Sequence, residues 1–515
     1  MKNKKLKDYR DELKKLNLLE WDNKDTADFD IEVKDISYNS LTVKPGTLFI
    51  CKGANFKQEY LADALKRGAC GYVSDRNMGL NPNIPVLAVN DLRTAISKIS
   101  AKYFDKSWDE HLKIIGLTGT KGKSTTVTMI KSIMDIYCGR EIGFSSGIYT
   151  YDGVRKEKAR KLTTPETIEL HRILNSCVEN GCGYLTMEVS SQALKYGRTA
   201  DLRYEICGFL NISEDHISAA EHSDMEDYFS SKLKIFDSSK IACINLDMDK
   251  KYLTRVLQTA GDKCSKVITY GFGQIEKHNS LLHSSHIQGI SVTETAGAIL
   301  VKALIDGTEE EFYVNIGGAY NGYNALAAIA ITHELGVPLE IIKKGLQTVK
   351  VAGRMELYTL PGEKVDVIVD CAHNKMSYEA LFNYVHHHYP TRKVGFLFGC
   401  VGDKAFNRRK EAGEIADKNA DFIVITERDP GKEDVNKICD DIMANIEHKE
   451  KAVIITDRDK AVREALLKAE SMGNCILILA GCGSDAYVKR GTTFVEFATD
   501  GERVQEFIGE QRKNK

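Results

Sequence analysis

The sequence predicts an α/β protein of three domains. They are a small α/β domain (1–108), a central domain on a parallel sheet with a P-loop (109–349), and a Rossmann-like C-terminal domain (350–515). Three observations carry this. The chain has 515 residues, too many for one core and suited to roughly three domains at ~150 residues each. Short apolar runs alternate with helical stretches in three blocks, the pattern of sheets covered by helices. A glycine-rich loop, "GLTGTKGKST" (Gly116 to Thr125), joins an apolar strand to a helix.

Taken in order, the first block offers the strands "GTLFICKG", "ACGYVSD" and "IPVLAVN", with "YLADALKRG" as a helix among Gly- and Pro-bearing turns. The second opens on the strand "KIIGLTG" and the helix "STTVTMIKSIM". It continues with "GYLTMEVSS", "ICGFLNIS" and "IACINLD", an alternation that implies a mostly parallel sheet covered on both faces. The third alternates "VDVIVDCAH", "KVGFLFGCVG", "DFIVITERD", "KAVIITD" and "CILILAG" with helical stretches such as "NRRKEAGEIADKNA". Ligands of doubly wound sheets bind at the carboxyl ends of strands, so chemistry is expected in the loops that follow these runs.

Composition narrows the class. Lys plus Arg number 71 against 73 Asp plus Glu, a net charge of −2, so nothing favours a nucleic-acid or membrane partner. The thirteen cysteines are scattered without a C-x-x-C pair and read as reduced core thiols of a cytoplasmic protein. The start, "MKNKKLKDYRDELKKL", is charged throughout and reads as a solvated helix rather than a signal peptide. No apolar run reaches the ~18 residues of a membrane span.

The loop after the strand "KIIGLTG" departs from the spacing G-x-x-x-x-G-K-[ST], because Leu117 stands where the first glycine belongs. A strand, a glycine turn and a helix start nevertheless suit a phosphate. The backbone N–H groups of Gly119, Thr120, Lys121, Gly122 and Lys123 can converge on oxygens, and the helix adds partial positive charge. Lys123 would neutralise phosphate charge, while Ser124 or Thr125 can reach a magnesium ion.

Seven further segments follow in order: "LTTPETIEL", "MEVSSQAL", "NISEDHIS", "YFSSKLKIF", "GGAYNGYNALAA", "AGRME" and "VDCAHN". With the loop T-G-T-K-G-K-S they resemble the ATP-dependent Mur ligases of the UDP-N-acetylmuramoyl-tripeptide synthetase branch, and "ISYNSLTVKPGTLFICKGANF" resembles that branch's UDP-binding domain. The resemblance implies a ligase that joins a carboxylate to an amine through an acyl phosphate, in peptidoglycan precursor synthesis. It implies ATP and magnesium, with Ser124, Glu188, His216 and Lys232 at the metals. Lys232, in the register set by Tyr228, Ile235 and Phe236, would carry a carbamate formed with carbon dioxide. Taken alone, Glu188 could be a capping carboxylate, His216 a solvated loop residue and Lys232 a surface lysine.

The same resemblance places Asn321 and Asn324 beside the adenine and Arg354 at the γ-phosphate on domain closure. Asp370 and His373 become nucleotide-side contacts of the closing domain. Ser40 matches the uridine-diphosphate site, although Leu41 stands where arginine is common. Thr163, Thr164, Ser190 and Arg198 match contacts to the muramoyl peptide, and an arginine fork suits the D-glutamate carboxylate. The partners implied are a UDP-N-acetylmuramoyl dipeptide and a free amino acid, and a monomer is expected.

The amino acid added is read from two loops. Diaminopimelate-adding members carry D-N-P-R and lysine-adding members D-D-P-[NA], whereas this chain reads "RDPG", Arg428 to Gly431. Asp429 agrees with the lysine type and could pair with an ε-ammonium. "AGCGSDAYVKRG" keeps an acidic Asp485 for the incoming amine, with Cys482 in place of lysine. L-Lysine is favoured. Lys432 and Arg428 could still supply a displaced carboxylate site, which leaves diaminopimelate or ornithine open. A folylpolyglutamate-type ligase shares the loop and the carbamate but lacks the domain around Ser40. A nucleotide-binding scaffold without turnover would not need Lys123, Glu188, His216 and Lys232 together.

Overall fold

The computed structural model describes residues 4–53, 56–76, 78–79, 83–159, 162–214, 221–273, 286–295, 297–362 and 364–513. Its strands build three main sheets. The first contains β1 (Leu19–Asp22), β2 (Asp35–Ser37), β3 (Thr47–Ile50), β4 (Gly71–Ser74) and β5 (Val86–Val89), ordered β1-β5-β4-β3-β2. Only β1 is antiparallel to its neighbour. The helix Leu6–Lys15 is not the solvated helix expected. Leu6, Tyr9 and Leu13 recur at helical spacing and are fully buried, so the charges occupy only its outer face.

The central sheet contains β6 (Lys113–Thr118), β7 (Gly143–Ser145), β8 (Tyr149–Tyr151), β9 (Lys156–Lys158), β10 (Tyr184–Glu188), β11 (Tyr204–Phe209), β12 (Ser239–Asn245), β13 (Lys266–Gly271), β14 (His286–Thr295), β15 (Ala298–Ile305) and β16 (Thr308–Val314). Its order is β16-β15-β14-β13-β12-β11-β6-β10-β7-β8-β9. The middle strands from β7 to β14 are parallel. Both ends are antiparallel, which the expectation of a mostly parallel sheet did not include. The β15–β16 hairpin turns on Asp306 and Gly307, both at positive φ (49° and 82°), as a two-residue primed turn requires. β6 is exposed only at Lys113, as a central strand covered on both faces should be.

The third sheet contains β17 (Glu356–Thr359), β18 (Val365–Asp370), β19 (Lys393–Phe398), β20 (Phe422–Ile425), β21 (Ala452–Ile454) and β22 (Cys475–Ala480), ordered β17-β18-β22-β19-β20-β21, all parallel except β17. A separate hairpin joins β23 (Tyr487–Arg490) to β24 (Thr493–Glu496). All thirteen cysteines are free thiols.

The units are packed together. Buried Asp201 of the central unit accepts from Ser97 (2.7 Å) and Lys98 (2.8 Å) of the first. On the other side, Gly297 N–H donates to Tyr384 Oη at 2.6 Å and His388 meets Glu294 at 3.3 Å, between the β14–β15 hairpin and the helix Lys375–His388. Register aligns the strand ends that matter: Glu188 lies opposite Leu117, and Phe209 opposite Thr118. The loops after β6, β10 and β11 therefore emerge side by side.

Candidate active site

The phosphate-type loop is held from beneath by the end of β11. Asn211 Oδ1 accepts from the N–H of Thr120 (3.0 Å) and of Lys121 (2.9 Å), and its Nδ2 donates to the Lys121 carbonyl (3.0 Å). Two of the N–H groups expected to meet phosphate are therefore engaged within the protein. Anion binding falls to the start of the helix Lys123–Cys138, whose first N–H groups lack intrahelical partners. Gly122 caps that helix at φ 84°, and a Cβ there would stand 2.2 Å from Asn324 Oδ1. Only glycine meets both conditions.

Two lysines converge on this loop. Lys123 Nζ donates to the carbonyls of Gly119 (2.8 Å) and Thr120 (3.2 Å). Lys232, 1% exposed on the helix Met225–Leu233, donates to the same Gly119 carbonyl at 2.9 Å. Its ammonium lies 4.6 Å over the Tyr228 ring, whose hydroxyl donates to Thr120 Oγ1 at 3.1 Å. Tyr228 and Lys232, one helical turn apart, thus fix the loop from one side.

Glu188 ends β10 and is 2% exposed. One carboxylate oxygen accepts from Gly147 N–H at 2.9 Å. Thr164, fully buried, ties the neighbouring loops together. Its hydroxyl donates to the Glu188 carbonyl (3.0 Å) and accepts from Ser190 N–H (2.9 Å). Ser190 caps the helix Ser191–Lys195 through Ala193 N–H. A cavity of about 180 Å³ lies here, lined among others by Lys123, Thr163, Ser190, Arg198, Tyr228 and Lys232. Arg198 is 8% exposed, pairs with Glu166 at 3.0 Å, and has a buried Nε without a hydrogen-bond partner among the described residues. Lys52 of the first unit pairs with the same Glu166.

Other expected residues lie further out. Ser40 opens a short turn in the first unit and does not line this cavity; Lys52, Glu166 and Arg198 connect that unit to it. Asn321 and Asn324 are buried at the loop's foot. Asn324 Nδ2 donates to Asn321 Oδ1 (2.8 Å), Asn321 Nδ2 donates to the Gly317 carbonyl (2.7 Å), and Thr126 donates to Asn324 Oδ1 (3.2 Å). Their amides brace the loop. Ser124 is half-buried and Thr125 buried at the helix start. His216 lies outside the described residues.

The third unit supplies the remaining expected residues. Asp370, at the end of β18, accepts from the N–H of Met355 (2.8 Å) and Ala372 (2.7 Å), anchoring the loop that carries Arg354. Desolvation works against the Arg354 guanidinium, but Cys371, Asp370 and Glu188 outweigh it and raise its pKa. His373 is pushed down to about 4 by burial and by Arg428, with Arg408 and Lys121 adding to the effect. Glu188 thus bears electrostatically on Arg354, and Lys121 on His373, from the central unit. Asp429, at φ 43°, accepts from Lys489 N–H at 2.7 Å with one oxygen. Asp485 keeps an exposed surface, yet desolvation by the surrounding protein pushes its carboxyl up to about 6; Arg428 and Arg354 oppose the rise and Asp429 adds to it.

Magnesium fits this donor set. It takes few protein carboxylates and keeps waters and phosphate oxygens, and a buried Glu188 with one oxygen uncommitted to Gly147 offers that. Among the described residues no group of three or more His, Cys, Asp or Glu could hold a metal by itself. The sequence reading missed Asn211, Gly147, Lys52 and Glu166 as parts of the site. A polar residue directly after an apolar strand was the available signal for Asn211.

Family models for the Mur ligase middle domain and for the Mur ligase, glutamate ligase domain match residues 117–332 and 353–482. The chain is 34% identical over 482 residues to the UDP-N-acetylmuramoyl-L-alanyl-D-glutamate–L-lysine ligase of Enterococcus faecalis, covering 93% of this chain and 92% of that one. It is 31% identical to the 2,6-diaminopimelate ligase of Caldanaerobacter subterraneus, covering 94% and 96%. Among solved structures, a 2,6-diaminopimelate ligase superposes with a TM-score of 0.62 at 20% identity over 94% of this chain and 96% of that one. A folylpolyglutamate synthase from Mycobacterium tuberculosis gives 0.60 at 14% over 80% and 94%.

Proposed function

The chain belongs to the Mur ligase family, an ATP-dependent amide-forming family, and from that premise we propose what it joins. It adds a dibasic amino acid, L-lysine, to the D-glutamate of UDP-N-acetylmuramoyl-L-alanyl-D-glutamate in peptidoglycan precursor synthesis. The observation that carries this is the single cavity shared by Lys123, Lys232 and Arg198 with buried Glu188 behind it. A cation for a triphosphate, Lys123, and a buried arginine for a carboxylate stand together, as phosphorylation of an acid requires.

The γ-carboxylate of D-glutamate attacks the γ-phosphorus of ATP, giving an acyl phosphate and ADP. The amine then attacks the acyl carbon and phosphate leaves. Two anions must approach in the first step. Lys123 and the N-terminus of the helix Lys123–Cys138 bind the phosphates, and Arg198 orients the carboxylate-bearing peptide. Arg354 meets the γ-phosphate from the third unit, and closure of that unit keeps water from the acyl phosphate. Ser124, Glu188 and His216 would hold magnesium, which when bound neutralises and aligns phosphate oxygens. Lys232 would hold a carbamate, an anion able to bind metal where an ammonium cannot; that it lines the cavity together with Lys123 supports this reading.

Residues 1–108 take the uridine diphosphate through Ser40, 109–349 the ATP, and 350–515 the amino acid through Asp429 and Asp485. Asn321, Asn324, Asp370 and His373 serve the nucleotide; Thr163, Thr164 and Ser190 serve the muramoyl peptide. We place the protein in the cytoplasm as a monomer. No described helix is long and apolar enough to cross a membrane. The test supplies ATP, magnesium and the UDP-muramoyl dipeptide with L-lysine, meso-diaminopimelate or ornithine in turn and follows phosphate release. Release with L-lysine is expected. Release only with diaminopimelate refutes the choice of amino acid, and no release with any amine refutes the ligase.

A further inference from the structure

Six arginines of the third unit hold a carboxylate: Arg392, Arg409, Arg458, Arg463, Arg490 and Arg503. Arg354, Arg408, Arg428 and Arg512 form no ion pair among the described residues, and of these four only Arg428 has a guanidinium nitrogen, Nε, buried without a hydrogen-bond partner. Arg409 Nε and Arg503 Nη2 are also buried without a partner, but their guanidinium groups already meet carboxylates. Arg428 has neither, and burying it so is costly, which points to an anion that arrives later.

The crevice is shaped around Arg428. The residue follows β20, and its side chain crosses toward the ends of β19 and β22. A Cβ on Gly481 (φ 101°) would stand 2.9 Å from Arg428 Cδ, and one on Gly399 would stand 3.2 Å from Arg428 Cβ. A side chain at Gly481 would displace it, whereas one at Gly399 would first strike the Thr426 carbonyl oxygen, 2.2 Å away. Beyond the effect of burial, Arg428 and Arg408 both lower the pKa of His373, and with Arg409 they oppose the rise that burial gives Cys400, so this end of the unit is positively charged. Asp485 faces Arg428 across the crevice, beyond ion-pair distance but within reach of its charge.

We propose that Arg428, assisted by Arg408, is the receptor for the α-carboxylate of the incoming amino acid, while Asp485 takes the ammonium of its side chain. The proposal rests on the ligase reading above. A cation and an anion separated by a gap match a dibasic amino acid, whose α-carboxylate and terminal ammonium are separated by its side chain. The carboxylate adjoins the attacking amine, so holding it also orients the nucleophile. Arg428 is thereby distinguished from Lys432, the other candidate cation of this loop, which is exposed.

The experiment compares L-lysine with L-lysinamide, whose carboxylate is replaced by a neutral amide, and with meso-diaminopimelate, in wild type, R428M and R428K, by phosphate release. A charge-assisted pair lost from a desolvated site costs on the order of 10²-fold in kcat/KM. Wild type should prefer L-lysine by about that factor. R428M should lose about the same factor with L-lysine and change less than ~3-fold with L-lysinamide, and R428K should recover part of the loss. ADP binding by calorimetry, equal in wild type and R428M, reports an intact fold. If R428M loses both acceptors equally, or keeps the wild-type preference, the carboxylate receptor is wrong while the ligase stands. Loss confined to diaminopimelate would instead make Arg428 a reader of a distal carboxylate and overturn the proposal. No release with any acceptor in wild type would remove the ligase reading itself.

Discussion

Asn211→Ala should cripple ATP use without touching ATP. The side chain makes three hydrogen bonds to the phosphate-type loop, accepting from Thr120 and Lys121 N–H and donating to the Lys121 carbonyl. Neutral bonds contribute about 0.5–1.5 kcal/mol each, giving about 1.5–4.5 kcal/mol for the set. Lys121 is exposed, so water can replace part of what its groups lose, and about 2–3 kcal/mol is a fair figure. That energy keeps the loop in the shape the helix start needs, so it should appear as roughly a 30- to 150-fold rise in KM for ATP, at 1.4 kcal/mol per tenfold. The assay is phosphate release against ATP concentration, with KM for the UDP-muramoyl dipeptide as an internal control expected to change little. Asn211→Asp keeps the acceptor but removes the donor and adds an anion near the phosphates, so it should be worse than alanine. A KM for ATP within twofold of wild type in Asn211→Ala would refute the clamp.

Lys232→Ala should abolish turnover, and added bicarbonate should not restore it; near-normal phosphate release would remove Lys232 from the chemistry. The Asp485 carboxyl, pushed up to about 6 by desolvation against the pull of Arg428, must be ionised to hold an ammonium. Because protonation removes that charge as pH falls through about 6, KM for the amino acid should be flat above pH 7 and rise about tenfold per unit well below 6. Asp485→Asn should have a high KM without this dependence, and a flat wild-type profile from pH 5 to 8 counts against the role. Asp500→Ala should destabilise the fold by about 3–5 kcal/mol, because Arg458, 1% exposed and paired with Asp500 at 2.6 Å, would be left as a buried lone charge. Urea unfolding of the full chain tests it, and a loss under 1 kcal/mol would show the pair to be dispensable.

What the sequence could and could not reveal follows from how far each feature reaches along the chain. The parallel strands were legible because each is a short apolar run ending in a turn, and β6, β10, β11, β18 and β22 carry that signal locally. The β14–β16 meander was missed. β14 and β16 mix exposed and buried residues, as in Thr308–Val314, so no continuous apolar run marks them, although β15 opens on the apolar run Ala298 to Val301 and Asp306-Gly307 is a hairpin turn signal. Lys232 could be singled out by its spacing from Tyr228. That it meets Gly119, 113 positions away, is a property of the folded chain alone. The same holds for Arg428. In sequence it is a departure from both known patterns of its loop, and nothing adjacent says whether it pairs. Its meaning depends on Gly481 leaving room for it, on Arg408 adding positive charge from another loop, and on Asp485 facing it without touching. Local pattern is therefore enough to propose the nucleotide half of the site, where one strand, one loop and one helix hold the candidate residues. The proposed amino-acid half is assembled from three strand ends distant in sequence, and there only the tertiary arrangement distinguishes a receptor from a substitution.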